Sequence, residues 1–401
     1  MANSSKMSSL EIRSSIVLAS IYALRMLGIF LILPVFAIYA SSLEVTPNAF
    51  QIGLALGVYG LTQAIFQIPF GMTSDRFGRK KLIYFGLFLF IVGSLVAALS
   101  NHIEGIIIGR AIQGSGAISA VLTAFLSDVT RDEHRTKAMA IIGASIGLTF
   151  ALSLVISPIL SIKIGVPGIF LLMAILSMLA ILVIKFCISE PADIKKPPLV
   201  EYKDIFTILK RLDLNRLNFG IFVLHATQIS MFTVIPFYLI DQGQLNLESH
   251  WTVYLPILVV SFLCIIPIII LSERWEKTKQ FFLFSIVLLL FSQILFLYSS
   301  DELQGIAVAL LIYFIGFNYL EASLPSMVSR LAPTERRGLS LGVYNTFQSL
   351  GIFLGGFMGG LVAKYFGYQG TFFFCGLMII LWLILAASMH VPEKKKNLIN
   401  L

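Results

Sequence analysis

The segment GMTSDRFGRKK (residues 71–81) carries five charged side chains in eleven residues and joins two long apolar runs. The run before it, QIGLALGVYGLTQAIFQIPF (51–70), and the run after it, LIYFGLFLFIVGSLVAALS (82–100), contain no Asp, Glu, Lys or Arg. Each run has about the 20 residues that a helix needs to cross the roughly 30 Å apolar core of a bilayer. We therefore interpret residues 71–81 as a short link between two membrane-spanning helices.

The composition of the whole chain agrees with that interpretation. Of the 401 residues, 57% are hydrophobic and only 12% are charged, whereas soluble domains contain about 25% charged residues. A soluble fold of this length would need far more polar surface. We therefore predict an integral membrane protein in contact with the lipid bilayer.

Apolar runs of bilayer length occur twelve times along the chain. They are continuous rather than alternating, which favours helices over barrel strands. The predicted fold class is therefore an all-α membrane protein with 12 transmembrane helices. The predicted spans are 14–39, 49–71, 82–100, 104–129, 137–161, 167–187, 215–240, 252–272, 280–299, 304–330, 339–363 and 369–390.

The longest link, residues 189–216, divides these spans into two sets of six. It contains Pro197-Pro198, and its segment DIFTILKRL has apolar positions every three or four residues, which predicts a partly helical linker. We predict a first six-helix bundle over 1–188, a linker over 189–213 and a second six-helix bundle over 214–401.

The two sets of spans resemble a repeat. LSERWEKTKQFF (271–282), after span 8, matches MTSDRFGRKKLI (72–83), and in both an acidic–basic pair precedes an aromatic residue. RLAPTERRGLSLG (330–342), after span 10, resembles DVTRDEHRTKAMA (128–140), after span 4. Two six-span halves with weak internal similarity are typical of transporters. We therefore expect the two bundles to be related by pseudo-two-fold symmetry.

Positive charge is restricted to alternate links. If the amino terminus is cytoplasmic, the opposite links contain only Lys163 and Lys364, and Arg25 and Arg110 lie inside spans. The other 25 of the 29 Lys and Arg residues then lie in the termini and the cytoplasmic links. The positive-inside rule therefore predicts that both termini and the linker are cytoplasmic. The net charge of +8 is explained by topology, so we predict no nucleic-acid partner.

The chain offers no pattern for cofactor or metal chemistry. Cys187, Cys264 and Cys375 are far apart in apolar runs and have no metal-ligand spacing. No phosphate-binding loop, G-x-S-x-G or H-E-x-x-H motif occurs. We therefore expect no cofactor, no metal site and no catalytic constellation, and we predict that the protein is not an enzyme. Without an ATP site, uphill transport would have to use an ion gradient.

Four motifs carry a resemblance to a known family. GMTSDRFGRKK matches the G-x-x-x-D-R-x-G-R-K/R-K signature of the major facilitator superfamily between spans 2 and 3. IGRAIQGSGA (108–117) resembles its R-x-x-Q-G signature in span 4, and GASIGLTFALSLVISP (143–158) resembles its span 5 antiporter signature, with Ser157-Pro158 where Gly-Pro is usual. LRMLGIFLILPVFA (24–37) is most similar to the YajR-like branch of drug/proton antiporters. That branch carries a soluble carboxy-terminal domain, which we expect to be absent here.

The resemblance implies a multi-pass transporter of the bacterial inner (plasma) membrane. It also implies that the charged link latches the two halves together in the outward-facing state, and the alternative is an anchor that only fixes topology. The residues themselves predict that Gly71 and Gly78 permit a tight reversal and that Asp75 precedes the next helix, where its charge favours free N–H groups. Arg79 is placed to meet Asp128. The candidate latch residues are Gly71, Asp75, Arg76, Gly78, Arg79 and Asp128.

Ionisable residues inside membrane spans are costly and point to function. Arg25, Arg110, His225 and Glu321 fall on spans 1, 4, 7 and 10, which line the central cavity in the superfamily that the chain resembles. Glu321 is the first candidate for proton coupling, because a carboxyl group in a low-dielectric cavity can load and release a proton near neutral pH. His225 is the second. Arg25 is expected to meet a nearby carboxylate or an anionic group of the substrate. The alternatives are a fixed ion pair at Glu321 and an interhelical hydrogen bond at His225.

Further polar residues share helix faces with these four or lie in neighbouring spans. For Arg110, a role in organising the bundle around span 4 is favoured over contact with the substrate, and both are kept. The candidate substrate-cavity residues are Tyr22, Arg110, Gln113, Gln228, Asn318, Asn345 and Gln348.

These features predict a secondary active transporter that exports small amphiphilic molecules in exchange for protons by alternating access. Its expected partners are the small-molecule substrate, protons and the lipid bilayer, and we expect it to be a monomer. One alternative keeps the fold but makes it a proton symporter that imports a metabolite or sugar. Another is a membrane sensor or scaffold that does not transport.

Overall fold

A computed structural model describes residues 7–131, 134–188, 202–298, 303–333 and 336–389. The first half of the molecule contains seven helices in these residues. They are α1 (Ser9–Phe30), α2 (Phe36–Ser41), α3 (Ala49–Phe77), α4 (Arg79–Leu99), α5 (Ile103–Ser115), α6 (Ser119–Asp128) and α7 (Arg135–Cys187).

The second half begins with a short helix of the linker. Its helices are α8 (Tyr202–Leu209), α9 (Leu212–Asp241), α10 (His250–Arg274), α11 (Thr278–Tyr298), α12 (Leu303–Leu331) and α13 (Arg337–Ala387). A single 3-10 turn, Leu247–Ser249, precedes α10. The helix α8 confirms the predicted helical part of the linker, whereas residues 189–201 lie outside the described residues. The boundaries of the predicted bundles and linker stay predictions.

Ten helical segments of the described residues are long and apolar enough to cross a membrane. Two of them are about twice the necessary length, because α7 and α13 contain 53 and 51 residues. Each breaks at one glycine with positive φ, Gly165 (φ 69°) and Gly367 (φ 64°), a conformation that only glycine adopts readily. The two arms of each helix therefore cross separately, and the described residues make twelve crossings, as predicted.

Two crossings are interrupted where the sequence predicted continuous helices. The first is divided between α1 and α2 by residues 31–35, and the fourth is divided between α5 and α6 by Gly116–Ile118. The nitrogen of Gly116 bonds only to Gln113 O, three residues back, which is a tightened last turn.

The charged link of residues 71–81 is mostly helical. The helix α3 continues to Phe77, Gly78 (φ 97°) makes the turn, and α4 begins at Arg79. The expectation that Gly71 permits the reversal is therefore wrong, since Gly71 lies inside α3, and only Gly78 occupies the turn. In the repeat, Glu276 occupies the place of Gly78 and also has a positive φ of 56°, so the two corresponding turns share a backbone feature.

The molecule has two ends, which we name by their charge. The cationic end carries residues 71–81, Arg131, α8 and Lys277, and the opposite end carries Asn48, Gly165, His250 and Gly367. At the cationic end, Arg336 Nη2 lies 2.8 Å from Asp204 Oδ1 and fastens α8 to the start of α13. The interface between the two halves, called the seam below, runs from one end to the other.

Candidate binding site between the two halves

The seam is closed at the opposite end by direct backbone contact between α3 and α13. A methyl group added to Gly53 would overlap the carbonyl oxygen of Gly356, and one added to Gly356 would overlap the carbonyl oxygen of Gly53. One turn on, Gly57 lies against the same stretch of α13. Small residues spaced four apart permit this approach of two helices. Phe50 and Phe357 pack beside them with ring centroids 5.2 Å apart.

The seam is open at the cationic end. Methyl groups added to Gly143 and Gly147 of α7, or to Gly338 and Gly342 of α13, would meet no described atom within 4 Å. The same helix α13 is therefore in tight contact with the first half near Gly356 and has open space beside Gly342.

A narrow cavity lies between these two regions, where α1, α3, α9 and α13 meet. Its polar lining consists of Gln63, His225, Gln228 and Gln348. Gln348 Nε2 donates to His225 Nε2 at 2.9 Å. Because an amide nitrogen has no lone pair to offer, this bond forms when the imidazole proton is on Nδ1 and Nε2 of His225 accepts.

Glu321 lies next to this cavity, on its cationic side. Its Oε2 is 3.9 Å from His225 Nε2, and its side chain is 27% exposed. Oε2 has no hydrogen-bond partner among the described residues. Tyr22 of α1 and Tyr344 of α13 are within the electrostatic reach of this carboxyl group. The Glu321 carboxyl group and the Gln348 amide therefore both face Nε2 of His225, but only the amide is within hydrogen-bonding distance.

Aromatic rings fill the seam beside Glu321. The ring centroid of Phe150 on α7 lies 5.7 Å from that of Phe314 and 5.8 Å from that of Phe317, both on α12. These rings therefore join the two halves. Phe317 is also 6.1 Å from the ring of His225. The sequence did not single out Phe150, since one Phe among 33 carries little information.

Arg25 is buried in the first half at 2% exposure. It donates to the hydroxyl of Ser119 and lies over the Tyr59 ring, with 5.9 Å to the centroid. Its Nε and Nη2 have no hydrogen-bond partner among the described residues. The structure thus gives Arg25 no carboxylate partner in the described part of the chain, and its role in proton coupling stays a prediction.

Arg110 and Gln113 lie inside the first half rather than on the cavity. Arg110 Nη1 donates to Gly28 O at 2.6 Å and to Gln113 Oε1 at 3.0 Å, and its Nε donates to Ala55 O at 3.3 Å. Gln113 Nε2 in turn donates to Ser94 Oγ at 2.7 Å. These bonds connect α1, α3, α4 and α5, which is the bundle-organising arrangement that the sequence favoured for Arg110.

The remaining cavity candidates are divided between packing and the seam. Asn318 Nδ2 donates to Ser261 Oγ at 3.0 Å and so joins α12 to α10 inside the second half. Asn345 is half-buried on α13, one turn before Ser349. Gln63 lines the cavity but was absent from the sequence-based candidates, although its pairing with Gln67 one turn away inside an apolar span was a visible signal.

The candidate latch is assembled around Arg79. Its Nη1 lies 2.5 Å from Asp75 Oδ1 and donates to Ser74 Oγ at 2.6 Å, and its Nε donates to Asp128 Oδ2 at 2.9 Å. The expected contact between Arg79 and Asp128 is confirmed. Asp75 lies in the last turn of α3 instead of at the start of the next helix, because α3 continues through it. These partners all belong to the first half, and Arg76 is exposed nearby.

Comparison with known proteins decides the family. The family model described as Major Facilitator Superfamily matches residues 18–356 and 259–400. The chain belongs to the major facilitator superfamily. The resemblance that the motifs carried is thereby confirmed, and this major facilitator protein is a multi-pass membrane transporter and not an enzyme.

Two relatives are similar to this chain over most of its length. The protein is 42% identical to the inner membrane transport protein YajR of Escherichia coli (strain K12), over 99% of this chain and 87% of that protein. It is 24% identical to multidrug resistance protein 2 of Bacillus subtilis (strain 168), over 95% of this chain and 96% of that protein.

A solved structure shares the fold. It is a bacterial homologue of the human lysosomal transporter Spinster in an inward-facing and occupied conformation, with a TM-score of 0.77 and 14% identity. The match covers 95% of this chain and 96% of that chain. The superfamily fold of two six-helix bundles therefore describes this protein as well.

Proposed function

We propose that this transporter is a proton-coupled exporter of small amphiphilic compounds. The observation that carries the proposal is the placement of Glu321 beside His225 at a seam whose opposite end is closed. The similarity to multidrug resistance protein 2 supports the substrate class. The similarity to YajR supports a location in the inner membrane.

The proton is carried by Glu321 in this proposal. The titratable groups that face it are His225 on α9, Tyr22 on α1, Tyr344 on α13 and Tyr313 on its own helix α12. Among the described residues no Lys or Arg forms an ion pair with Glu321. A change of its protonation therefore changes the net charge of the seam, which a rearrangement of the two halves can respond to.

His225 connects the proton to the cavity. Its Nε2 accepts from Gln348 in this state, and the Glu321 carboxyl is about one ångström too far for a hydrogen bond to the same atom. A protonated Glu321 can donate to Nε2 only if Gln348 moves away. A substrate that holds Gln348 in its bond to His225 and a proton on Glu321 therefore compete for one imidazole nitrogen, so that each ligand disfavours the other, as antiport requires.

The proposed direction of transport follows from the orientation of the protein in the membrane. We propose that the cationic end, with both termini, lies in the cytoplasm, because Lys and Arg collect on the cytoplasmic side of membrane proteins. The state with its opening at the cationic end would then accept substrate from the cytoplasm. Export completes when the opposite end opens and a proton replaces the substrate.

Purified protein in liposomes with an imposed pH gradient tests the proposal. Transport of radiolabelled chloramphenicol, tetraphenylphosphonium and benzoate compares a neutral, a cationic and an anionic amphiphile. The parent protein is expected to move at least one of them against its gradient when protons flow the other way. Glu321→Gln is expected to abolish this uphill movement while substrate exchange without a gradient persists.

The possible results separate the competing functions. Movement of substrate in the same direction as protons would indicate the symporter, and a lack of movement of any compound would favour the sensor or scaffold. Unchanged uphill transport in Glu321→Gln would exclude Glu321 as the proton carrier. Asn318→Ala is a matched control on the same helix, since Asn318 bonds to Ser261 away from the cavity.

A further inference from the structure

Another cavity lies inside the second half, at the cationic end, where α10, α11 and α12 meet. It has about 70 Å³ of space, which is enough for several water molecules and therefore for a group of about five non-hydrogen atoms. We propose that it is a binding site for a phosphate group, with Arg330 as the cationic contact and the hydroxyl groups of Thr278 and Ser326 as hydrogen-bond donors. This inference does not depend on the proposed function.

The lining of this cavity is rich in hydroxyl groups and carries one guanidinium group. Its polar members are Ser272, Thr278, Tyr319, Ser323, Ser326 and Arg330. Ser272 and Ser323 donate to carbonyl oxygens of their own helices, whereas the hydroxyl groups of Thr278 and Ser326 make no hydrogen bond to the described residues. No carboxylate lines the cavity among the described side chains. The lining therefore offers hydrogen-bond donors and positive charge to an anion.

The internal repeat relates this cavity to the candidate latch of the first half. With the turns at Gly78 and Glu276 aligned, the repeat pairs Ser272 with Ser74, Lys277 with Arg79 and Arg330 with Asp128. In the first half this place is filled, because Arg79 contacts Ser74 and the carboxylates of Asp75 and Asp128. In the second half the corresponding place is a cavity, and a guanidinium group stands on the helix position that carries a carboxylate in the first half.

The charges at the two corresponding places differ in sign. The first half has one cation and two carboxylates, whereas the second half has two basic residues, Lys277 and Arg330, and the counterpart of Asp75 is Glu273. The side chain of Glu273 lies outside the described ones. A phosphate group would supply the negative charge and the acceptor oxygens that Asp128 supplies in the first half. Arginine suits phosphate because its planar fork forms two parallel N–H bonds to it.

The depth of the cavity allows two sources of phosphate. Ser272 and Arg330 are the last residues of the predicted spans 252–272 and 304–330, so the cavity lies at the level of the lipid head groups. Basic pockets between helices at this level bind anionic lipid head groups, and a soluble phosphate compound reaches the same level from the water. Both sources present the same group to Arg330, and the experiment distinguishes them.

Thermal unfolding of the purified full chain in a neutral detergent tests the inference. Delipidated protein is titrated with sodium phosphate, with sodium chloride of equal ionic strength as the blank, or with dihexanoylphosphatidylglycerol, with dihexanoylglycerol as the blank. A ligand that binds only the folded protein raises the midpoint of unfolding. At least one phosphate compound is expected to raise it by a few degrees above its blank. A response to sodium phosphate identifies a soluble ligand, and a response to the lipid alone identifies a head group.

Two variants and one control identify the residues responsible. Arg330→Gln is expected to weaken phosphate binding by about tenfold, and Ser326→Ala by about threefold. Because Ser326 is exposed on α12, its truncation keeps the test usable if Arg330→Gln does not fold. Arg274→Gln is the matched control, since it removes the same charge from an exposed residue of α10 that does not line the cavity. It is expected to respond like the parent.

The competing arrangement is a pair between Arg330 and the chain's own Glu273. If a phosphate group binds, Glu273→Gln should keep the response or strengthen it, since loss of a negative charge from the same link favours an anion. The inference is wrong if the parent responds to neither phosphate compound, and an equally large drop of the midpoint in Glu273→Gln and Arg330→Gln would then identify the chain's own carboxylate as the partner. An undiminished response in Arg330→Gln would also overturn it, because the effect would then be a general effect of salt or lipid.

Discussion

The glycines at the two ends of the seam have different surroundings. At the opposite end, Gly53 and Gly356 bring the backbones of α3 and α13 into contact so close that a methyl group on either would overlap the other helix. At the cationic end, Gly143 and Gly342 face space without a described atom within 4 Å. One end is therefore sealed by shape and the other presents bare helix surfaces that a second arrangement of the halves can use.

The contacts of Arg79, unlike those of Gly53 and Gly356, stay within one half of the molecule. Arg79 contacts Ser74, Asp75 and Asp128, all in the first half, so none of these contacts crosses the seam. In this state the charged link therefore stabilises one half internally. A latch between halves is a property of the other state, in which the cationic end is closed, and it stays a prediction.

The largest effect is expected when the sealed end is filled. Gly356→Leu places a side chain where the α3 backbone lies, and overpacking of this kind costs about 3 kcal/mol, or about a hundredfold in population. The sealed state should be depleted, and uphill transport should fall close to background because the cycle needs both states. Spin labels at the exposed positions Glu44 and Gln244, one in each half, should report longer distances than in the parent.

Gly342→Leu is the matched control for that experiment. It adds the same side chain to the same helix at a position where the present state has space. The distance distribution between positions 44 and 244 should therefore stay that of the parent, or sharpen towards the sealed state. Equal distance changes in both variants would contradict the assignment of which end is closed.

The next effect concerns the internal charge cluster. Arg79→Ala removes a buried cation from the partly buried carboxylates of Asp75 and Asp128, and breaking an ion pair of this kind destabilises by about 3 kcal/mol. The midpoint of thermal unfolding of the purified protein should fall by several degrees. Arg76→Ala, three residues away and exposed, should leave the midpoint within error, and an equal drop would show that the link acts through net charge alone.

Much of this architecture was readable from the chain. The uncharged runs on both sides of residues 71–81 predicted the spans, and the repeat of that link at residues 271–282 predicted two related halves. The course of the link itself was not predictable in the same way. Gly71 suggested a turn, but α3 continues through Pro69 and Gly71 to Phe77, and only the position with positive φ, Gly78, ends it.

The sequence predicted what kind of site this is, but it did not predict all of the residues that form it. Charged residues inside spans identified Glu321 and His225, which the structure places 3.9 Å apart. The rotation of each helix within its bundle is set by packing of distant segments, and the sequence pattern around Arg110 does not encode it. The same reason explains why Gln63 was missed: its importance comes from facing Gln228 across the seam.

A smaller effect is expected from Asp75→Asn. In the present state the Asp75 carboxylate contacts Arg79 inside the first half, so loss of its charge removes one charge-assisted bond worth about 1.5 kcal/mol. If the latch interpretation holds, the closed cationic end is disfavoured by a similar amount. Spin labels at the exposed Lys81 and Lys277 should then show a smaller population at short distance. An unaltered distribution, with the unfolding midpoint lowered, would reduce the link to a structural anchor.

The smallest effect is expected at the bare surface itself. Gly342→Ala adds one methyl group that meets nothing in the present state, and it removes the entropic cost of a helical glycine, about 1 kcal/mol. The unfolding midpoint should rise slightly, whereas Gly356→Ala, the same substitution at the sealed end, should lower it. If transport by Gly342→Ala nevertheless falls, the methyl group is obstructing a contact formed only in the other state. Gly342 would then be part of the surface that closes the cationic end. The helix α13 would in that case contact the first half near Gly356 in one state and near Gly342 in the other.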